Sequence, residues 1–311
     1  MKIVFLDEYS LGGADLSSIK ALGDYTGYYE TRPEEVVERC VDAEVVIVNK
    51  VVLGEKEMAA LPSLRLICVS ATGVNNIDLE AAKRHNIEVR NAVGYSTHTV
   101  AEATLGAILT LQRQVLYYDR YVKDGRYSSS GRFVNFDRPT HRLWGKKWGI
   151  IGLGNIGRRV AELATAFGCE VAYYSTSGVA RQEKYKQKEL NDLLGWADII
   201  SVHCPLNAQT NNLIDSEKVA LMKPNALIVN VARGGIVNEQ AIADALNEGR
   251  IAGAAFDVYP TEPMPLTSSL LSVKDPDVLL LSPHNGWSAV ESIEDLVECV
   301  ATNIKNYISK D

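Results

Sequence analysis

The chain has 311 residues, 46% of them hydrophobic and 23% charged, and carries a formal net charge of −7. That length suffices for two domains with separate cores, and the acidic balance argues against a nucleic-acid partner, since no basic stripe is available to neutralise phosphates. Ile3-Val4-Phe5-Leu6 is too short for the apolar core of a signal peptide, and no later run would span a bilayer, so a cytoplasmic protein without a membrane partner is expected.

In chain order, residues 2–7 and 44–49 read as buried strands, with a helix opened by Pro33-Glu34-Glu35 between them and running to Cys40. Residues 65–69 form a third strand, ending at Ser70-Ala71-Thr72-Gly73-Val74-Asn75-Asn76. A helix from Ile77 to about Arg84 and a short strand at 87–90 follow. Strands alternating with helices imply βα units and a parallel sheet, an α/β domain of about 100 residues. From Thr97, apolar residues at Val100, Ala103, Ala107, Ile108, Leu111, Val115 and Tyr118 mark the longest helix, apolar on most sides and therefore buried. Residues 119–142 lack a period and suit an arm or an exposed insertion.

A second α/β series begins near residue 148. Strands are expected near 148–152, 169–174, 198–202, 226–230, 252–256 and 278–281, and helices near 156–167, 189–195, 216–221 and 238–248. The charge-rich segments 84–90 and 181–188 read as solvated faces, and 291–309 as a final helix that returns to the first domain. Five scattered cysteines (Cys40, Cys68, Cys169, Cys204, Cys299) lie mostly inside apolar runs and read as buried free thiols, not disulfides or a metal site.

Two features carry chemistry. The first is Gly152-Leu153-Gly154-Asn155-Ile156-Gly157, between a strand and a helix. Its first glycine permits a tight turn, its second lets a pyrophosphate approach the backbone, and its third lets helix and strand pack closely. The helix N-terminus then faces the phosphates. The second is a series of three strand ends: Asn230-Val231-Ala232-Arg233-Gly234-Gly235, Asp257 through Glu262-Pro263, and Ser282-Pro283-His284-Asn285-Gly286. They bring an Arg, a Glu and a His to one sheet edge, where open α/β sheets bind ligands. Arg233 suits a carboxylate or a keto oxygen, His284 suits proton donation near neutrality, and Glu262 would favour the charged imidazole. His85 and His141 read as surface residues, and no histidine besides His284 has an acid at an informative spacing.

With these motifs in place, the chain resembles the D-2-hydroxyacid dehydrogenases over essentially its whole length. The stretches Ala71 to Asp78 and Gly94-Tyr95-Ser96-Thr97 look most like the glycerate dehydrogenase, or hydroxypyruvate reductase, branch. The resemblance implies a Rossmann-type doubly wound parallel sheet inserted into a discontinuous flavodoxin-like α/β substrate domain. Residues 1–98 and 286–311 would form the substrate domain and 99–285 the dinucleotide-binding domain. It implies a homodimer formed through the 100–145 region. It implies that amides around Thr72, Gly73 and Val74 hold the carboxylate of a small 2-keto or 2-hydroxy acid, that Arg233 binds carboxylate and carbonyl, and that His284 is the acid/base partnered by Glu262. The expected cofactor set is Thr72, Gly152, Gly154, Asn155, Ile156, Gly157, Ser175, Thr176, Cys204, Val231, Ala232, Arg233, Asp257, His284 and Gly286, with no metal.

One departure bears on the cofactor. The acid that grips an adenine ribose belongs about 20 residues past the glycines, where this chain has Ser175-Thr176-Ser177-Gly178, with Arg181 near enough to pair with a phosphate. NAD is the expected cofactor, with NADP as the alternative. Phosphoglycerate dehydrogenase without a regulatory domain and a nucleotide-sensing, corepressor-like binding protein are the competing functions.

Overall fold

The computed structural model describes residues 1–178 and 182–309. The chain divides into two compact units, one comprising Met1–Ser96 with the chain from Ser288 onward, the other Thr97–Trp287.

The first unit is built on five parallel strands: β1 (Lys2–Phe5), β2 (Asp24–Gly27), β3 (Val45–Val48), β4 (Leu66–Val69) and β5 (Glu88–Asn91), in the order β2-β1-β3-β4-β5. Strands β3 and β4 are buried at every residue, as central parallel strands covered on both faces must be. Helices α1 (Ser17–Lys20), α2 (Val36–Cys40), α3 (Glu55–Ala59) and α4 (Leu79–Arg84) complete the unit, together with the C-terminal helix, Val290–Ile308. That helix buries Leu296, Val297, Val300, Ala301 and Ile304 against α1, β4 and β5. Asn303 Nδ2 donates to Asn91 O at 3.0 Å, and the Arg90 guanidinium donates to Asn303 O. At the carboxyl ends of β1 and β3, the buried Asp7 carboxylate accepts the amides of Asn49, Lys50 and Val51 at 2.6–3.1 Å. Burial raises the Asp7 carboxyl, and the three amides oppose that rise.

The second unit begins with α5 (Thr97–Gln112), α6 (Val115–Lys123) and α7 (Arg126–Ser129). It continues through β6 (Lys147–Ile151), α8 (Asn155–Ala166), β7 (Glu170–Tyr174), β8 (Lys186–Gln187), α9 (Leu190–Trp196), β9 (Ile199–Val202) and α10 (Ser216–Ala220). It closes with β10 (Leu227–Asn230), α11 (Glu239–Asn247), β11 (Gly253–Phe256) and β12 (Leu279–Leu281). The sheet is parallel throughout, in the order β12-β11-β10-β9-β6-β7-β8. Its two faces are covered by different helices. Trp148, Ile150, Leu227, Val229 and Ala255 face α5 and α8, whereas Ile200, Ile228, Ala254 and Phe256 face α9–α11. The chain moves outward from β6 to β7 and β8, then crosses back to β9. The switch point between β6 and β9 is therefore where a dinucleotide fits this sheet.

Several elements depart from the sequence expectations. β2 was not expected because Asp24-Tyr25-Thr26-Gly27 is a half-wet edge strand without an apolar run. β8 lies within 181–188, a segment expected to be a solvated face; two exposed residues pair with β7 at the sheet edge. Among the described residues the nucleotide-type sheet thus has seven strands instead of six. The long helix expected from Thr97 to about Tyr118 begins at Thr97 but is two helices, because Gln114 adopts a left-handed φ of 53°. Part of the expected arm is helical, and its root is stapled by ion pairs from Arg120 to Asp277 and from Arg138 to Asp275 at 2.9 Å. Among the described residues, no helix is long and apolar enough to cross a membrane.

Candidate active site

Each glycine of the loop between β6 and α8 has its own physical reason. Gly152 has φ +90°, and a Cβ there would lie 2.7 Å from Cys204 N, so the turn must be left-handed and close. A Cβ on Gly157 would lie 2.2 Å from Gly152 O, which sets how closely α8 packs on the strand. Gly154 differs: it is exposed, and a Cβ there would meet no protein atom within 4 Å. The protein has no packing need for glycine at that position. A ligand approaching the backbone does. Asn155 is exposed and Ile156 half-buried in the first turn of α8, a twelve-residue helix whose N-terminal amides suit a pyrophosphate. These residues fit a dinucleotide.

Beyond β7, Ser175 Oγ lies 3.3 Å from Ser177 Oγ, and both Ser175 and Thr176 are half-buried. Arg181 lies outside the described residues. An acid that sequence reading missed enters from the following loop. Glu183 pairs with Arg158 of α8, Oε1 to Nη2 at 2.5 Å. Cys204, expected near the cofactor, is buried against Gly152, and burial pushes its thiol up to about 11.

The loops after β10, β11 and β12 emerge side by side. Arg233 is half-buried, with Nη1 donating to Ala232 O at 2.7 Å. The buried Asn230 holds its loop, accepting from Ala232 N at 3.1 Å and donating to Arg233 O at 2.9 Å. A Cβ on Gly234 would lie 1.9 Å from Tyr259 C, so the first and second loops interlock. On the second loop, Glu262 Oε1 accepts from Tyr259 N at 3.1 Å, and Oε2 lies 2.7 Å from His284 Nδ1. His284 sits at φ +54°, a left-handed conformation costing about 1 kcal/mol or more for a residue with a side chain.

Asp257 holds that strained turn in place. Its Oδ1 accepts from Ser282 Oγ at 2.5 Å and Asn285 N at 3.0 Å, and its Oδ2 accepts from Gly286 N at 2.9 Å. Tyr259 adds a second clip, donating its hydroxyl to Ser282 O at 2.9 Å, and burial pushes that phenol up to about 12. The structure thus brings Glu262, His284, Asp257 and Gly286 into one hydrogen-bonded group, with Val231, Ala232 and Arg233 on the neighbouring loop. An imidazole paired with a carboxylate can transfer protons, and a guanidinium on a loop of the same sheet edge can bind a carboxylate or a developing oxyanion. Asn230, Tyr259 and Ser282 were not singled out from sequence; their roles arise from contacts that no spacing encodes.

In the first unit, Thr72, Gly73 and Val74 follow β4. Thr72 Oγ1 donates to Ala92 O at 3.0 Å, and Asn91 Nδ2 donates to Thr72 O at 2.6 Å, so the segment is anchored to β5. His85 corrects one expectation: it is half-buried, with Nε2 2.7 Å from Glu55 Oε1, an acid thirty residues away brought near by the fold.

Residues 105–286 match the family model described as D-isomer specific 2-hydroxyacid dehydrogenase, NAD binding domain. The chain belongs to this family. This D-2-hydroxyacid dehydrogenase is 36% identical over 312 residues to a glycerate dehydrogenase from Methylorubrum extorquens, covering 99% of this chain and 96% of the relative. Its fold is similar to that of a D-lactate dehydrogenase from Aquifex aeolicus complexed with NAD and lactic acid, with TM-score 0.85, 26% identity and coverage of 100% and 96% of the two chains. It is also similar to an NADPH-dependent glyoxylate/hydroxypyruvate reductase from Sinorhizobium meliloti, in complex with NADP and malonate, with TM-score 0.85, 25% identity and coverage of 99% and 93%. Membership makes the chain an oxidoreductase of the 2-hydroxyacid class with a nicotinamide dinucleotide as cofactor.

Proposed function

We propose that this D-2-hydroxyacid dehydrogenase interconverts hydroxypyruvate- or glyoxylate-type 2-keto acids and their 2-hydroxy acids, as the names of its relatives suggest. The observation that carries the reading is the His284–Glu262 pair at 2.7 Å, on a strained turn clipped by Asp257 and one strand removed from Glu262's own loop. A nicotinamide cofactor, when bound, supplies or accepts the hydride. His284 gives the proton to the carbonyl oxygen in reduction and takes it back in oxidation, and Glu262 holds the imidazole oriented. Arg233 binds the carboxylate and meets the charge that develops on the carbonyl oxygen. The anchored amides of Thr72, Gly73 and Val74 are assigned to the substrate carboxylate. The exposed Gly154 and Asn155, with Ile156, are assigned to the pyrophosphate.

We take residues 1–98 with 286–311 as the substrate domain and 99–285 as the dinucleotide-binding domain. Val231, Ala232, Asp257, Cys204 and Gly286 belong to the cofactor site in this reading, with Ser175 and Thr176 at the adenine ribose. NAD is assigned first and NADP second. A cytoplasmic homodimer completes the reading, supported by Phe133 and Phe136, which are 90% and 84% exposed, and by four buried free thiols.

The test is a panel of 2-keto acids, hydroxypyruvate and glyoxylate among them, run with NADH and with NADPH while the reduced cofactor's absorbance is followed. Turnover of hydroxypyruvate or glyoxylate supports the assignment. Absence of turnover across the panel, with cofactor binding intact, would favour a nucleotide-sensing binding protein.

A further inference from the structure

Between α5 and the carboxyl ends of β10–β12, within the second unit, lies a cleft of about 390 Å³. Its inner wall is apolar, from Val229, Val231, Ala255 and Leu280, and its rim carries Asp257, Asn285 and Gly286. From α5 the cleft is lined by Ala103, which lies close to Gly286 of the rim, by Gly106, which leaves room, and by Glu102, which supplies a carboxylate. A Cβ on Gly106 would meet nothing within 4 Å, so this side of the cleft is open space and not packing.

The two carboxylates of the cleft differ in what they have left to offer. Asp257 already accepts from Ser282 Oγ and from the amides of Asn285 and Gly286. Glu102 is exposed, and among the described residues no hydrogen bond or ion pair reaches its carboxylate. An acceptor-only, negatively charged group lining an apolar cleft selects ligands that bring donors or positive charge. The oxidised nicotinamide ring is cationic and its carboxamide carries an N–H₂ group; the reduced ring keeps the carboxamide and loses the charge.

We propose that Glu102 sets the preference between the oxidised and reduced cofactor, stabilising the cationic ring in the cleft and so biasing the enzyme toward binding NAD⁺. This rests on the proposed dehydrogenase function and extends it to a residue outside the predicted site. Glu102 touches no reacting atom; its effect is electrostatic and discriminates between redox states that differ by one charge at the same place.

The test is direct binding, without turnover. Wild type and Glu102→Gln are titrated with NAD⁺ and with NADH by calorimetry, and both are sized by sedimentation. Removing the charge should weaken NAD⁺ roughly threefold to fivefold, the scale of a solvent-screened charge pair, while NADH binding stays or tightens. Raised salt should shrink the wild-type bias, and Glu102→Asp should restore part of it. Glu170→Gln removes an exposed acid from the opposite, amino-terminal end of β7 and should leave the ratio as it is. An equal change for both redox forms, or none, overturns the inference and leaves the function standing. A ratio change that accompanies an altered sedimentation coefficient also overturns it, since Glu102 would then act through a subunit contact. Failure of the wild type to bind either dinucleotide overturns the function together with the inference.

Discussion

His284 Nδ1 lies 2.7 Å from Glu262 Oε2, across 22 residues of chain, and Glu262 is itself fixed by the amide of Tyr259. The acid is therefore held at both oxygens, one on its own loop and one on the imidazole. Replacing Glu262 with Gln keeps the size and a hydrogen bond but removes the charge. We expect kcat for reduction to fall on the order of 10²-fold. An unchanged kcat with an unchanged urea midpoint would remove the Glu262 charge from the proton-transfer step.

His284→Ala separates chemistry from binding. Turnover should fall on the order of 10²- to 10⁴-fold while cofactor affinity, measured by titration, changes far less. Retention of most of kcat would remove His284 from the proton-transfer step.

The glycine loop offers a paired test. A Cβ on Gly154 meets no protein atom and the backbone there is not left-handed, so Gly154→Ala should unfold in urea like the wild type yet lose cofactor affinity. A Cβ on Gly157 would press on Gly152 O at 2.2 Å, so Gly157→Ala should destabilise by roughly 1–3 kcal/mol. Equal destabilisation by both variants would mean that Gly154 is there for packing.

Cofactor choice is expected to turn on Ser175. Introducing a carboxylate by Ser175→Asp should repel a 2′-phosphate and accept from the ribose hydroxyls, raising the ratio of kcat/KM for NADH over NADPH. An unchanged ratio would move the determinant elsewhere, with Glu183, paired to Arg158, as the next residue to vary.

His203, at the end of β9, gives a stability prediction with a definite sign. Both ring nitrogens are shut off from solvent and make no hydrogen bond among the described residues, and burial pushes the imidazole down to about 3. The unfolded chain therefore takes up a proton that the folded chain refuses, between pH 6.5 and about 3. Stability from this residue is full above that range and declines as pH falls through it. The side chain as a whole is only partly buried, which limits the effect to roughly 1–2 kcal/mol between pH 7 and pH 5. His203→Leu should flatten that part of the curve, as read from urea midpoints at the two pH values. Parallel curves for variant and wild type would contradict it.

What could be read before any fold was known is what local chemistry repeats. Val45–Val48 and Leu66–Val69 are uninterrupted apolar runs because strands covered on both faces have no wet side, and the two α/β series follow from their alternation with helices. Gly152, Gly154 and Gly157 were legible because a turn, a ligand's approach and a helix contact impose glycine at fixed spacing. Arg233, Glu262 and His284 were legible as a set because each follows a recognisable strand. Asp24–Gly27 and Lys186–Gln187 were hidden because edge strands need neither alternation nor apolar content; backbone pairing alone holds them.

Only tertiary structure assembles the support. Asp257 binds three donors from 25 to 29 residues away, Asn230 steadies the Arg233 loop, and Glu183 meets Arg158 across a strand and its loop. Such contacts depend on strand order and register, and β10, β11 and β12 stand together because the chain crosses over helices between them. Residue identity and spacing are enough to nominate an acid, a base and a glycine loop. They nominate Glu262 for the imidazole, but they do not state that Asp257, five residues earlier in sequence, holds the turn of His284: it is the packing of two loops that gives Asp257 the backbone amides of Asn285 and Gly286.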